Sequence, residues 1–355
     1  MRASRATNGG MQQPATPPPT PLSAHGATDA RRFRGGTRRR LHELPGPQGG
    51  ESGLTVLLAF GANLLVAVAK SVAALVTGSA AMVAEAAHSW ADAGNEVFLV
   101  IAHRRGARPA DDSHPWGYGR AVYVWSMFAA LGLFAAGAAV SVTHGVQSLL
   151  EPEEAGSYLV GYLVLGVAFV LEGISFLQSL RQAHAEAGRL ERDVLDHVLA
   201  TSDPTLRAVF FEDAAALAGL VIAAAALLAH QLTGSPVPDA VGSILVGVLL
   251  GVVAVVLIRR NMQFIVGQEA DPRVRAVALR TLLDMPGVAR VTYLRLEYVG
   301  PRVLSVVGDV DLAGDERESD VAVRLRALEA ELVRSPAVAG AVLSLSAPDE
   351  PSLVP

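Results

Sequence analysis

Long apolar segments separated by short polar ones dominate the chain between Leu54 and Ile258. A helix needs about 20 predominantly apolar residues to cross the hydrocarbon core of a bilayer, and segments of that kind recur six times. Glycine and alanine are frequent in them, which favours close packing between membrane helices. The pattern predicts an α-helical membrane protein with a six-helix transmembrane bundle, whose spans lie at 54–77, 80–102, 121–148, 157–180, 205–230 and 237–258.

The pattern changes after Arg260 to that of a small globular domain. DPRVRAVALRTLLDMPG and ERESDVAVRLRALEAELVRS have helical periodicity, whereas VARVTYLRLEYV, PRVLSVVGDVDL and AVAGAVLSLS alternate as strands do. The order predicts a C-terminal cytoplasmic α+β domain, αββαβ and ferredoxin-like, at 259–347, with 348–355 as a tail. The transport bundle then occupies 53–258, and 1–52, rich in proline and arginine, is predicted to be a disordered arm.

Composition supports a membrane location and limits the chemistry. The chain is 51% hydrophobic and 18% charged, with mean hydropathy +0.37, which is too apolar for an ordinary soluble protein of 355 residues. Cysteine is absent, which excludes disulfides and thiolate metal ligands and leaves nitrogen and oxygen donors. The basic cluster in the arm could bind nucleic acid or protein. A solvated tail that fixes membrane orientation is the favoured interpretation, so no nucleic-acid partner is predicted.

Arginines mark one side of the predicted bundle. They accompany alternate loops, whereas the VTGS, EPEEAG and QLTGSPVP loops contain no lysine or arginine. Basic residues accumulate on the cytoplasmic side of a membrane, so both termini are predicted to be cytoplasmic. The arm lacks the apolar segment of a secretory signal, which together with the short loops favours a bacterial plasma membrane over an organelle membrane. The marking residues are Arg38, Arg39, Arg40, Arg104, Arg105, Arg108, Arg181, Arg189, Arg192, Arg259 and Arg260.

Four ionisable residues interrupt the second span. They share one stripe of a helix because three or four positions separate each from the next. Ionisable groups at this depth are costly, and they normally face the bundle interior and mark an ion or proton path. The stripe therefore predicts a functional site. Its members are Glu85, His88, Asp92 and Glu96, with the neutral Asn95 beside them.

The fifth span carries two adjacent carboxylates, Glu212 and Asp213, at a depth similar to that of His88. Adjacent helical residues point about 100° apart, so at most one of the two can face the second span squarely. An imidazole with two or more carboxylates suits a borderline divalent cation such as Zn²⁺, with Mn²⁺, Fe²⁺ or Co²⁺ as alternatives. A purely structural interpretation is that His88 and Asp92 neutralise each other. Asp213 would then pair with Lys70 of the first span, which could instead snorkel to the interface or serve as a counter-ion.

Five segments, in this order along about 54–347, resemble the cation diffusion facilitator family of zinc and manganese transporters. They are SAAMVAEAAHSWADAGNEV, ARPADDSHPWGYGRA, EDAAALAG, PDAVGSILVG and the αββαβ segment. The resemblance implies a transport site that pairs a His- or Asp-x-x-x-Asp motif in the second span with a His-x-x-x-Asp motif in the fifth. His88, Asp92 and Asp213 match those motifs, whereas Val209 stands at the fourth ligand position.

The missing fourth ligand leaves several ways to complete a metal shell. Water could do so, and the less certain protein ligands are Glu212, Asn95 and Glu85. The ED pair followed by AAxxG resembles the branch of the family that includes the mitochondrial zinc transporter of animals. Some relatives have a histidine-containing metal site in the cytoplasmic domain. This chain lacks that site, because it has no histidine after His230.

The loop after the second span offers a weaker metal site. Asp111, Asp112 and His114 lie in DDSHPWGYGR, where some relatives hold a second metal, but Tyr118 stands in place of another histidine. The favoured interpretation is a tight turn built by proline and glycine, anchored at the membrane interface by Trp116 and Tyr118.

These features predict a secondary transporter and not an enzyme. It would export a divalent cation, with zinc as the first choice, in exchange for protons, and zinc would be cargo and not a cofactor. The resemblance and the C-terminal domain both favour a homodimer in the lipid bilayer. The rival interpretation is a membrane scaffold that has kept the fold and lost part of the site, and a third is a transporter for Mn²⁺, Fe²⁺ or Co²⁺.

Overall fold

The computed structural model describes Leu41, Gly46 and residues 53–151, 157–189 and 192–355, so most of the predicted arm lies outside the described residues. Helices dominate up to residue 266, and a mixed helix and strand region follows. The elements are α1 (Gly53–Thr77), α2 (Ala80–Gly106), α3 (Ala121–Ala129), a π-helical turn (Ala130–Phe134), α4 (Ala135–Leu150), α5 (Tyr158–Arg189), α6 (Val194–Ala200), α7 (Pro204–Thr233), α8 (Val237–Val266), α9 (Pro272–Leu283), β1 (Val288–Gly300), β2 (Val303–Leu312), α10 (Glu318–Val333) and β3 (Val338–Leu345).

Five helical segments of the described chain are long and apolar enough to cross a membrane. A multi-pass helical membrane protein is thereby confirmed. Helix α2 has sufficient length, with 27 residues, but its polar side chains exclude it on composition. The count of six spans therefore stays a prediction. The five segments are Phe60–Thr77, Ala121–Leu150, Tyr158–Gly188, Pro204–Thr233 and Val237–Val266.

Three helices run at least four residues beyond the limits that apolarity set for their spans. Helix α2 ends at Gly106, α5 at Arg189 and α8 at Val266, against predicted limits of 102, 180 and 258. Backbone hydrogen bonds within a helix do not depend on the bilayer, so polar residues can continue the helix past the apolar stretch. The predicted start of the C-terminal domain at residue 259 consequently falls inside α8.

Helix α2 lies at the centre of the bundle. It packs against α1, α3, α4, α7 and α8, which explains how its ionisable side chains can be kept away from lipid. Glycines bring the surrounding helices close together where α4 crosses α8. A Cβ on Gly145 would lie 2.8 Å from the Ala240 carbonyl oxygen, and one on Gly247 would lie 2.9 Å from that of Ala138. Contact at backbone level is the form of packing expected of glycine-rich membrane helices.

The C-terminal domain has the predicted αββαβ order. Its sheet has the order β1-β2-β3, with β1 and β2 antiparallel and β2 and β3 parallel. Alternate residues point to opposite faces of a strand, and the inward set of β1 and β2 is fully buried against α9 and α10. A parallel pair connected by a helix, next to an antiparallel hairpin, is part of a ferredoxin-like fold. The buried strand residues include Val291, Leu296, Val306 and Val310.

Both predicted terminal segments contact this domain where they are described. Leu41, inside the predicted arm, is buried in the domain core, and its backbone bonds to Thr281 and Ser335. At the other end, the Leu353 backbone N–H donates to the Val291 carbonyl oxygen at 2.8 Å. The predicted tail, residues 348–355, therefore packs along the domain.

The β1–β2 hairpin joins the C-terminal domain to the ends of the bundle helices. Arg302 occupies the second position of its tight turn with φ of 60°, a backbone conformation that is uncommon for a residue with a side chain. Its guanidinium donates to both carboxylate oxygens of Glu186, at 2.9 and 3.0 Å, and to Asp203 at 3.1 Å. Glu186 lies near the end of α5, and Asp203 caps the start of α7. One arginine therefore ties the domain to two bundle helices.

Replacement of Arg302 by alanine is expected to lower the free energy of unfolding by about 2 kcal/mol or more, because it removes the positive charge that pairs with two largely buried carboxylates. Thermal unfolding in detergent micelles measures this loss. The matched control is replacement of Arg334, whose pair with Glu331 is exposed and should contribute under about 1 kcal/mol. Equal melting temperatures for the two variants would contradict the interpretation.

Candidate functional site

The polar stripe of α2 lies on the buried side of the helix. Glu85, His88, Asp92 and Asn95 are all at most 6% exposed. Ser79 caps the start of α2 by accepting a hydrogen bond from the Met82 N–H. The helix is also held from α8, because the carboxylate of Asp239 accepts from the Ser79 hydroxyl at 2.6 Å and from the Ala80 N–H at 2.5 Å. The PDAVGS segment thus fixes the end of α2 from which the stripe begins.

A continuous set of polar contacts joins α2 to α7. His88 Nε2 lies 3.3 Å from Asp92 Oδ2. The carboxyl groups of Asp92 and Glu212 lie within hydrogen-bonding reach of each other. Asn95 completes the set by donating from Nδ2 to Glu212 Oε2 at 2.7 Å. The structure therefore brings together one imidazole and two carboxyl groups from two helices.

The side chain of Asp213 contacts α5 and not α2. Its carboxylate accepts from the Ser175 hydroxyl, at 3.1 and 3.0 Å to its two oxygens, and from the Ser179 hydroxyl at 3.2 Å. Both serines belong to α5. The residue of the fifth predicted span that reaches α2 is thus Glu212, whereas the resemblance had favoured Asp213. The reason is rotation, because the two side chains leave α7 about 100° apart and packing fixes which of them faces α2.

A glycine seven residues after Glu212 on α7 explains why Glu212, and not Asp213, faces α2. Residues seven apart lie on the same face of a helix, so Gly219 shares the face of Glu212. A Cβ on Gly219 would lie only 2.4 Å from Glu85 Oε1, which shows that this face is pressed against α2. A small residue seven positions after Glu212 is therefore the sequence signal that favours Glu212 as the residue of α7 facing α2.

Glu85 is paired with a lysine. Lys70 of α1 donates from Nζ to Glu85 Oε2 at 2.9 Å, and both side chains are completely buried. This contact settles the alternatives for Lys70, which serves as a counter-ion within the bundle; it neither reaches the interface nor pairs with Asp213. Glu172 on α5 was not predicted from the sequence as a neighbour of this pair, and its carboxylate interacts electrostatically with Lys70. One Glu85 oxygen, Oε1, has no hydrogen-bond partner among the described residues.

The loop residues form a turn closed by its own hydrogen bonds. Asp111 accepts from the Ser113 hydroxyl at 2.7 Å, from the His114 N–H at 2.8 Å and from the Tyr118 hydroxyl at 2.8 Å. The Ser113 and Tyr118 bonds hold the pKa of the Asp111 carboxyl well below its usual range. Asp112 is exposed. Because the oxygens of Asp111 are already engaged, the geometry fits the tight turn better than a metal site.

The aromatic residues of this loop are not placed as predicted. Trp116 packs against Gly340 of β3, where a Cβ would meet the indole at 2.3 Å. Tyr118 stacks on His114, with ring centroids 4.0 Å apart. Trp116 thus contacts the C-terminal domain and Tyr118 contacts its own turn, and the anchoring of both rings at the membrane interface stays a prediction.

The bundle site contains polar atoms that lack partners. Among the described residues, none forms a hydrogen bond with the buried His88 Nε2, Asp92 Oδ1 or Ser89 hydroxyl, and unpaired buried polar atoms of this kind are rare in folded proteins. In the described part of the chain, no three histidine, aspartate or glutamate side chains stand in a ready metal-ligand arrangement.

Comparison with known proteins identifies the family. A family model for the cation efflux transmembrane domain matches residues 56–266. The chain is 34% identical over 238 residues to metal tolerance protein C4 of Arabidopsis thaliana, which covers 67% of this chain and 52% of that protein. It is 34% identical over 279 residues to the mitochondrial proton-coupled zinc antiporter SLC30A9 of Xenopus laevis, with 74% and 49% covered. For the Homo sapiens protein of the same name the values are 31% over 262 residues, with 74% and 46% covered.

The chain spans about half the length of these curated relatives. The family match nevertheless covers more than half of the chain itself, and it contains all the residues of the α2 and α7 site. The family is one of transporters and not of enzymes, which agrees with the helical membrane fold described above. The chain therefore belongs to the cation efflux, or cation diffusion facilitator, family of integral membrane proteins.

Proposed function

We propose that the protein is a secondary transporter that exports zinc from the cytoplasm in exchange for protons. The cargo would bind His88 and Asp92 of α2 together with a carboxylate of α7. The observation that carries the proposal is the contact of His88, Asp92 and Glu212 around buried atoms for which the described residues supply no hydrogen bond. Glu212 is the favoured third ligand on geometry, and Asp213 is the alternative that the family resemblance favours.

Exchange of metal for protons follows from the chemistry of these ligands. Imidazole and carboxyl groups must lose their protons before they bind a metal ion. Two carboxyl groups in contact inside an apolar bundle also need a positive charge between them, because like charges repel strongly where the dielectric is low. A proton or a divalent cation satisfies that need equally, so the two would replace each other in one site. Rocking of the bundle helices would then expose the site to each side in turn.

Zinc is the proposed cargo for two reasons. Nitrogen and oxygen ligands in small number suit Zn²⁺, and several relatives carry the name of a proton-coupled zinc antiporter. The same ligands also accept Mn²⁺, Fe²⁺ and Co²⁺, which are the alternative cargoes. A site with three protein ligands should hold metal less tightly than one with four, which would assist release.

The proposed topology has six spans with both termini in the cytoplasm. It rests on the arginine-rich loops and on the position of α2 at the centre of the bundle. A bacterial plasma membrane remains our prediction, and the relatives with "mitochondrial" in their names make an organelle membrane the alternative. We also propose a homodimer, with the C-terminal domain as part of its interface.

Metal uptake into liposomes tests the proposal. Purified protein is reconstituted around a zinc-sensitive dye, and a pH gradient is imposed. We expect zinc entry that requires the gradient and is abolished by dissipating it. Substitution of Mn²⁺, Fe²⁺ or Co²⁺ ranks the cargoes. Folded protein that carries none of these ions would favour the rival interpretation, a membrane scaffold, which Val209 at the fourth ligand position supports.

A further inference from the structure

The pair formed by Lys70 and Glu85 has no part in the proposed metal site. Both side chains are completely buried, and Lys70 Nζ lies 2.9 Å from Glu85 Oε2. A buried ion pair contributes little to stability compared with apolar residues of the same size, because desolvation of the two charges offsets their attraction. Its presence at the centre of a membrane bundle therefore calls for another explanation.

The pair lies between the proposed metal site and the end of the bundle distal to the C-terminal domain. Lys70 is seven residues from the end of α1 at Thr77, and Glu85 is five residues from the start of α2 at Ala80. At 1.5 Å per residue Lys70 is about 10 Å and Glu85 about 8 Å from that end, whereas Asp92 is about 18 Å from it. In the proposed topology this distal side is the one to which metal is released.

The surroundings of the pair close the space around it. Helix α7 presents Gly219, and a Cβ at that position would lie only 2.4 Å from Glu85 Oε1. From α5, Glu172 acts electrostatically on Lys70, as does Asp92 from α2. In the described part of the bundle, the carboxyl groups of Glu85, Glu172 and Asp92 thus all act on this one ammonium group. The Lys70–Glu85 pair lies in the direction in which a cation would leave Asp92 towards the distal end.

We propose that the Lys70–Glu85 pair is the barrier that closes the metal path on the distal side, and that Lys70 must leave Glu85 for the path to open. This inference rests on the proposed transport function. The flexible four-carbon stem of lysine lets its charge move while the backbone stays in place. A divalent cation at Asp92 repels the ammonium group, so occupancy of the site favours opening towards the distal side and Glu85 becomes available to the departing ion.

Thiol labelling tests the barrier without any need for transport. The chain has no cysteine, so Ser89→Cys introduces a single reporter. Ser89 lies on α2 between Glu85 and Asp92, and its side chain is buried. The rate of reaction with a membrane-impermeant methanethiosulfonate is measured in vesicles of each orientation, without metal. Protease access to the C-terminal domain identifies which side of the protein faces outward.

We expect the labelling rate to change only from the distal side of the membrane and only when the charge of Lys70 or Glu85 is removed. Reaction from the distal side should be at least about tenfold faster when Lys70→Met is combined with the reporter, since removal of one partner of a buried pair destabilises the closed arrangement strongly. Lys70→Arg, which keeps the charge, should react at nearly the rate of the reporter alone. Glu85→Gln should behave like Lys70→Met.

A second reporter controls for general loosening of the fold. Ser126→Cys on α3 is also a buried serine without a hydrogen-bond partner, and its reaction should be unchanged by Lys70→Met. Unchanged labelling of the Ser89→Cys reporter in Lys70→Met, equal acceleration from both sides, or acceleration of both reporters would overturn the proposal. Because the assay contains no metal, absence of zinc flux would count against the proposed function alone.

Discussion

Replacement of Asp92 by asparagine is expected to reduce zinc flux by about 100-fold or more. Loss of residues that only support a metal ligand already costs about 10- to 100-fold in affinity or activity, and Asp92 is proposed to bind the ion directly. It is also the one residue of the site that contacts both His88 and Glu212. The amide keeps the size of the side chain but lacks the charge and cannot exchange a proton. Flux into dye-loaded liposomes under a pH gradient is the measurement.

The control for this variant is a carboxylate of equal size outside the bundle. Asp315 lies in the exposed connection between β2 and α10, and its replacement by asparagine should leave flux at the wild-type level. Melting temperatures of both variants establish that they are folded. An Asp92 variant that retains more than about half of the wild-type flux would show that the ion does not use this site.

Replacement of Glu212 by glutamine is expected to lower zinc flux by about 30-fold or more, whereas replacement of Asp213 by asparagine should change it by less than about threefold. Glu212 contacts Asp92 and accepts a hydrogen bond from Asn95 at 2.7 Å. Asp213 is held by Ser175 and Ser179 on the opposite neighbour, α5. The two carboxylates are adjacent in the chain, so each variant serves as the control of the other in the same assay.

A larger loss of zinc flux in the Asp213 variant than in the Glu212 variant would identify Asp213 as the metal ligand. If the Asp213 variant lost flux and the Glu212 variant kept it, α7 would have to rotate by about 100° in the metal-bound protein. The assignment implied by the family resemblance would then stand. Equal losses would indicate that both carboxylates carry the ion at different stages of transport.

Periodicity was sufficient to predict the elements of the fold. The C-terminal αββαβ order follows from alternation in three short segments and from two amphipathic helices, since local patterns of this kind reflect one buried face. The helices of the bundle follow from apolar length in the same way. Helix ends were less predictable, because α2, α5 and α8 continue into polar sequence where no change of backbone conformation is needed.

The site could be predicted only in part. The buried stripe of α2 followed from spacing within one helix, and Glu85, His88 and Asp92 are buried. Glu96, its fourth predicted member, is only partly buried and accepts a hydrogen bond from Asn63 of α1. The partner residue on α7 depended on how two helices are rotated against each other, which is set by the contact of Gly219 with Glu85. That contact joins residues more than 130 positions apart, and no local pattern determines it.

The contacts between the bundle and the C-terminal domain were not foreseen for the same reason. Arg302 had no motif to distinguish it from other surface arginines, yet it is bonded to Glu186 and Asp203. Asp239 was recognised as part of a family segment, but its role as a cap for α2 required the position of α8 beside Ser79. In each case the side chain is polar and its partner lies in a different element.

The most direct test of the account is the position of zinc in crystals of the zinc-loaded protein, located by anomalous scattering at the zinc edge. We predict a peak within the bundle about 2.0–2.1 Å from His88 Nε2, in contact with the Asp92 carboxylate and with Glu212, and absent when Asp92 is replaced by asparagine. A bundle without zinc, or zinc bound only at Asp111 and His114 of the loop, would contradict the account.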